Sequence, residues 1–310
     1  MSEGKLISET APKISVLMVT YNHEQYIAAA LDSVFAQRHD YSREIVVGDD
    51  ASTDLTREIV NEYSQKHSGV IRLIQHPQNV GHCRNYFSVL EACRGEYVAL
   101  LDGDDYWTDP DKLKKQIEFL DEHPDFVLSC HRFRRHYIRQ DRYEDDLYPE
   151  LYENNPDGFV MEPERFFSHW VAQTLTVVVR RSAVDISEFQ SYKYFADVHL
   201  FFSVLQKGKG YAHGFFGAMY NMHGDGVWSK LNEYQRCRMN YNIVAELRKR
   251  YPNDVVLKRA YALFRQSLLW MEYTKLKAER KSLRSGLRIP WLWVQLLLSD
   301  PGSKSQTLPA

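Results

Sequence analysis

The chain has 310 residues, 44% hydrophobic and 26% charged, with a formal net charge of -2. That balance suits a folded globular protein large enough for one α/β domain plus an appendage; it excludes extensive disorder, and no nucleic-acid partner is expected. No uninterrupted apolar run reaches the ~18–20 residues of a membrane span, and residues 1–11 show no basic segment leading into an apolar one, so a cytoplasmic protein is expected.

From Lys13 to Cys130 short apolar runs alternate with helical patterns. Strands are predicted at Ile14–Val19, Glu44–Val47, Val70–Ile74, Tyr97–Leu101 and Phe126–Cys130. Such alternation implies βαβ units and a mostly parallel sheet. Asn22 precedes Tyr26, Ile27, Ala30, Leu31 and Val34 at helical spacing, and Ser52 or Thr53 precedes Ile59 and Val60, so both sites read as helix N-caps. Asp109-Pro110 opens a third helix with Pro at its first position and Leu113, Ile117 and Leu120 on one face. Arg132–Pro156 is polar and tyrosine-rich and reads as a long loop or irregular strand over a site. Thr174–Val179 is a buried strand, Val198–Leu205 a helix, Tyr220–Ser229 a loop, and residues 230–284 are helical.

Residues 230–290 carry 15 Lys/Arg against 5 Asp/Glu. The segment 289–298 that follows holds Trp291, Trp293 and several leucines, a composition that suits either a helix lying on a membrane surface or one packed on protein. The cysteines Cys83, Cys93, Cys130 and Cys237 lack CxxC or zinc spacing, which indicates reduced thiols.

In an open parallel sheet, ligands bind at the carboxyl ends of the strands. Four polar clusters fall there: Thr20-Tyr21-Asn22, Gly48 to Asp54, Asn79 to Asn85, and Asp102-Gly103-Asp104-Asp105 running to Trp107. GxGxxG and Walker loops are both absent, so phosphates need another neutralising group. Asp102, Asp104 and Asp105 suit a hard divalent cation such as Mn²⁺ or Mg²⁺ bridging a diphosphate, and they equally suit a solvated turn or helix start.

The runs KISVLMVTYN (13–22), VGDDASTD (47–54) and GEYVALLDGDD (95–105), in this order and spacing, resemble the family 2 glycosyltransferases, in particular a subgroup typical of bacterial surface-polysaccharide and lipopolysaccharide assembly. The resemblance is strong over 13–125 and weaker to Ser229. It implies a GT-A fold, α/β with a Rossmann-like sheet, and transfer from a UDP- or dTDP-sugar to an acceptor hydroxyl with inversion. Tyr21 then faces the nucleotide base and Asp50 its imide N–H, while Thr20, Asn22, Asn79, Arg84, Asn85, Asp102, Gly103 and Asp104 line the donor, with Asp104 near the ribose. Asp105 binds the metal, with Asp104 and His223 as further ligands. Asp197, in YFADVHLFF (194–202), is the catalytic base, or an N-cap, or both; His199 is structural. The loop 220–229 resembles one that closes over the donor, with Gly224 and Gly226 as hinges; Asn221 stands where the family has arginine, and His223 is left to touch the diphosphate or metal.

The implied organisation is a flexible N-terminus at 1–12 and a GT-A domain at 13–229, split into a donor half (13–130) and an acceptor half (131–229). A basic helical region at 230–300 and a disordered tail at 301–310 complete it. The expected partners are a glycan or lipid-linked acceptor, with an inner-leaflet membrane surface or a homodimer contact through 230–298. Tyr152, Trp170, Gln173 and Trp228 are acceptor-side candidates or core aromatics. Two rival readings are a degenerate transferase acting as a scaffold subunit and a sugar-nucleotide nucleotidyltransferase.

Overall fold

A computed structural model describes residues 11–279, apart from 162–166, 168, 195, 225 and 227, and of 276–279 the backbone alone. The segment 289–298 and the two termini lie outside the described residues. The chain divides into two compact units on either side of the His223–Gly224 bond.

The first unit is built on one large mixed sheet. Its strands are β1 (Ile14–Thr20), β2 (Arg43–Asp49), β3 (Ile71–Gln75), β4 (Tyr97–Asp102), β5 (Tyr106–Trp107), β6 (Phe126–Tyr137), β7 (Arg142–Asp145), β8 (Gly158–Met161), β9 (Val178–Arg180) and β10 (Lys209–Asn221). The order along the sheet is β3-β2-β1-β4-β9-β6-β10-β5, with β7 on β6 and β8 on β10. β3, β2, β1 and β4 are all parallel. Every residue of β1 is buried, as a strand covered on both faces requires. The chain steps outward from β1 to β3 and returns to β4 on the far side of β1. The order therefore reverses between β1 and β4, where a crevice opens in doubly wound sheets.

Helix α1 (Ile27–Phe35) buries Ile27, Ala30, Leu31 and Val34, and α2 (Thr56–Lys66) buries Val60. Then come α3 (His82–Ala92) and α4 (Lys112–Glu122), the latter with Leu113, Ile117 and Leu120 fully buried. α4 starts two residues beyond Pro110, whose ring sits in the preceding turn instead of at the first helical position. Two predicted caps are also displaced. Asn22 does not cap α1, and neither Ser52 nor Thr53 caps α2; Asp54 Oδ1 instead accepts the Thr56 N–H at 3.0 Å.

Two further stretches differ from expectation. β6 continues past Cys130 to Tyr137 and turns back into β7, because Phe133 reaches the core while Arg134 and Arg135 pair with Asp145 and Glu144 of β7. Thr174–Thr176 is a tight 3₁₀ turn, since Thr176 Oγ1 donates to the Gln173 carbonyl and accepts its N–H; extended strand resumes at Val178. Short helices α5 (Glu150–Glu153) and α6 (Ile186–Phe189) precede α7 (Asp197–Leu205), which is buried along most of its length.

The second unit contains α8 (Glu233–Arg250) and α9 (Val255–Glu279). Asn232 and Gln235 exchange side-chain to backbone bonds at 2.9 and 3.0 Å, a capping box that starts α8; Asp254 Oδ1 accepts the Leu257 N–H to start α9. Among the described residues no helix is long and apolar enough to cross a membrane.

Candidate active site

Two loops at the carboxyl ends of β1 and β2 are stitched together. Asn22 N donates to Ser52 Oγ, His23 N to Thr56 Oγ1 and Glu24 N to Asp54 Oδ2; in return Thr53 N donates to Asn22 Oδ1 and Leu55 N to Glu24 Oε2, all at 2.8–3.1 Å. Asn22 and Ala51 adopt positive φ (56° and 59°) to make this fit. Tyr21, 43% exposed, is carried at the tip. The stitching explains why Asn22, Ser52 and Thr53 fail to cap their own helices: their partners lie on the neighbouring loop.

Beside these loops, Asp49 is fully buried, accepting from Ser52 N and from Nε and Nη2 of Arg57. Asp50 accepts from Val80 N and Gly81 N at 2.6 and 2.9 Å, and Asn79 Nδ2 donates to its carbonyl at 3.2 Å. The buried amide of Asn85 donates to the Gly48 carbonyl at 2.8 Å and meets His76 Nε2 at 3.2 Å, so it braces the end of β2 from beneath. Arg84 lies exposed in the first turn of α3.

The aspartate cluster closes the crevice. Carboxylate oxygens of Asp102, Asp104 and Asp105 lie within 4.8 Å of one another. Gly103 passes so near β1 that a Cβ there would fall 2.8 Å from Thr20 Oγ1. β5 pairs with β10, which brings Asn221 onto the loop: its N–H donates to Asp105 Oδ1 at 2.8 Å and its amide to the Asp104 carbonyl at 2.6 Å. Asn221 is thus a clamp on the acidic loop. His223 Nε2 stands 3.0 Å and His23 Nε2 3.6 Å from the same Asp104 oxygen, with the Tyr26 ring packed 5.0 Å from that of His223.

Burial raises the carboxyls of Asp102 and Asp105 well above the ordinary range, and the neighbouring charge of Asp104 adds to both. Asp104 goes the other way: burial opposes its ionisation, but the charge of His23 and the hydrogen bond of His223 prevail. Burial also lowers the His23 imidazole, so near neutral pH His23 is largely uncharged and the His223 bond is the effective support of Asp104. Three crowded carboxyls, with Asp102 Oδ1 buried and without a hydrogen-bond partner, form a donor set that fits a hard divalent cation.

Asp197 is the first residue of α7. Its Oδ2 accepts from Thr174 Oγ1 and its Oδ1 from Val198 N, both at 2.8 Å, so it also ties down its own helix start. Burial raises its carboxyl, against these bonds and the charge of His82, and it lies near enough that its own charge raises Asp102 further. His199 Nδ1 accepts the Ala196 N–H at 3.1 Å and fixes the turn that carries Asp197. Gly224 and Gly226 belong to the second unit, while His223 belongs to the first. Sequence reasoning missed His23, Tyr26 and Thr174. His23 had one signal, its position in the loop that ends β1; Thr174 had none, because its role depends on where α7 begins. Tyr152 is a core residue, packed on Phe159 and under Arg132.

A mixed sheet whose parallel part reverses order beside three carboxylates, with the charge of a fourth acid at a helix start acting on Asp102, has the layout of a GT-A-type α/β domain. Residues 15–186 match the model of glycosyl transferase family 2, and the chain belongs to that family. An uncharacterized protein of Mycobacterium bovis is 44% identical over 138 residues, 44% of this chain and 39% of that one. The putative teichuronic acid biosynthesis glycosyltransferase TuaG of Bacillus subtilis is 40% identical over 111 residues, 36% of this chain and 43% of that one. The chain thus spans about two fifths of the length of these curated relatives. Among solved structures, residues 1–349 of S. aureus TarS in complex with UDP superpose with a TM-score of 0.61 at 19% identity, covering 93% of this chain and 81% of that one. The mannosyltransferase PcManGT of Pyrobaculum calidifontis, in complex with GDP-Man and Mn²⁺, gives 0.59 at 17% identity with the same coverages.

Proposed function

We propose that the protein transfers a sugar from a UDP- or dTDP-sugar to a hydroxyl of a glycan or lipid-linked acceptor, with inversion at the anomeric carbon, in surface-glycan assembly. The observation that carries the reading is the convergence of Asp102, Asp104 and Asp105 with Asp197 at the reversal point of the sheet. TarS with UDP and PcManGT with GDP-Man and Mn²⁺ lend support as relatives in fold.

In this reading the exposed ring of Tyr21 covers one face of the base, and Asp50, already oriented by two backbone N–H groups, uses a remaining lone pair for the imide N–H. Thr20 and Gly103 bring the loop close to the donor, and Arg84 and His223 reach the diphosphate. Asp105 and Asp104 would hold a Mn²⁺ or Mg²⁺ ion, with His223, 3.0 Å from Asp104, as a further ligand and Asp102 lining the donor beside them. An ion bound there would supply Lewis-acid stabilisation of charge on a diphosphate leaving group. The acceptor oxygen bonds to the anomeric carbon as the bond to the diphosphate oxygen breaks, and Asp197 takes the hydroxyl proton. Burial makes Asp197 a stronger base than a solvated carboxylate, as this task needs.

The test is Asp197→Asn, assayed for donor turnover and for UDP binding. Turnover should fall by about 10²–10⁴-fold with UDP binding retained. A variant with most of its turnover would remove Asp197 as the base. Nucleotide binding by a wild type that does not even hydrolyse its donor slowly would favour the scaffold reading, and pyrophosphate release from a nucleoside triphosphate and a sugar phosphate would favour the nucleotidyltransferase.

A further inference from the structure

A cavity of about 490 Å³ opens among Arg134, Tyr143, Glu144, Asp145 and Met219, none of which is assigned above to donor, metal or base. Its floor is a sheet face. Strand registers align Tyr106 with Met219, Met219 with Arg134 and Arg134 with Asp145, one row across β5, β10, β6 and β7. The alternate positions Trp107, Ala218 and Phe133 enter the core, so this row looks outward. The next row, toward the carboxyl ends of β6 and β10, holds Asn221, His136 and Tyr143. Because Asn221 donates to the Asp104 carbonyl and Tyr106 directly follows Asp105, the floor runs without a break into the acidic loop.

The cavity's chemistry is specific. Tyr143 stacks one ring face on His136, at 4.3 Å between centroids and 6° between planes, and is still 55% exposed. Arg134 Nε donates to Asp145 Oδ1 at 3.1 Å with both side chains 53% exposed, and Glu144 is paired with Arg135 and Arg142. Arg134 and Asp145 offset one another, and Glu144 is shared by Arg135 and Arg142, so the cavity presents planar hydrogen-bonding groups with an excess of one positive charge. A flat aromatic face beside a guanidinium and a carboxylate suits a ring with apolar C–H faces and vicinal hydroxyls.

We propose that this cavity is a saccharide subsite that takes a pyranose unit of the acceptor, held on Tyr143 and hydrogen-bonded by Arg134 and Asp145, while the reacting hydroxyl lies toward the Asp104–Asp105 loop. The acceptor assignment rests on the glycosyl-transfer reading; the saccharide site itself does not. Saturation-transfer NMR on the full chain, with cellobiose, maltose, lactose and N,N′-diacetylchitobiose as probes, tests it beside UDP titrations in Mn²⁺. At least one disaccharide should bind the wild type and bind about tenfold more weakly to Tyr143→Ala and to Arg134→Gln, with UDP affinity unchanged in both. Both positions are surface-exposed, and the UDP titration verifies that each variant is folded. Binding of none of the four disaccharides to wild type, or undiminished binding to both variants, would overturn the site. Disaccharide binding by a wild type that ignores UDP would keep the site and overturn the transferase reading instead.

Discussion

Asp197 is positioned by a histidine that must stay neutral, which makes the protein acid-sensitive at a known place. His199 is fully buried, its Nδ1 accepts the Ala196 N–H, and burial lowers its imidazole from 6.5 to about 3. The folded-state value is depressed, so the stability this group confers is present above about pH 6.5 and is lost as pH falls toward the folded value, because only the unfolded chain takes up the proton. Each unit below about pH 6.5 costs about 1.4 kcal/mol, so by about pH 5 the loss from this one side chain is about 2 kcal/mol. His199→Asn keeps a short acceptor for the Ala196 N–H and cannot titrate. Urea unfolding of both proteins at about pH 7.5 and about pH 5 isolates the effect, because His213, lowered to about 4, titrates equally in each. Wild type should lose about 2 kcal/mol more than the variant over that interval. Equal losses would refute the neutral buried cap.

Three other substitutions probe the crevice. Asp105→Asn should abolish the Mn²⁺-dependent part of thermal stabilisation by UDP while leaving the apo melting temperature equal or higher, because it removes a buried carboxyl raised by burial and by Asp104; unchanged Mn²⁺ dependence would exclude Asp105 as a ligand. Gly48→Ala would set a methyl 2.2 Å from Asn85 Oδ1 and 2.4 Å from Val89 Cγ2, and should cost about 1–3 kcal/mol in chemical denaturation. Asn22→Ala loses the acceptor of the Thr53 N–H and places alanine at a φ of 56°; it should cost about 1–2 kcal/mol and weaken UDP binding measured by calorimetry, since the Tyr21 loop loses its brace.

The parallel part of the sheet was legible because its central strands, β1 and β4, are nearly continuous apolar runs. Ile14–Thr20 and Tyr97–Asp102 admit few other readings, and the polar residues that end them fall at one sheet edge once the strands are parallel. β6 was cut short because HRFRRHY (131–137) offers one core residue, Phe133, among cations; the strand persists through pairing with β7, whose acids lie on a segment that reads as loop. The caps failed for a related reason. Asn22 and Ser52 are good capping residues by type, yet their partners are 30 or more positions away, and local spacing carries no information about a contact between two loops.

The same limit governs the site. Asp102, Asp104 and Asp105 were singled out by residue type and strand position and Asp197 by the family resemblance, whereas His23 and Thr174, which stand against them, were not. Asn221 shows why. Judged by side chain alone it is a lost arginine, but its backbone N–H clamps Asp105 and its amide clamps the Asp104 carbonyl. The first of those contacts exists for any residue except proline, provided that β5 pairs with β10 in the observed register. The acidic loop is therefore held by strand pairing, and residue identity at 221 tunes that hold without creating it. A family motif can lose a side chain at such a position and keep the geometry that the aspartates need.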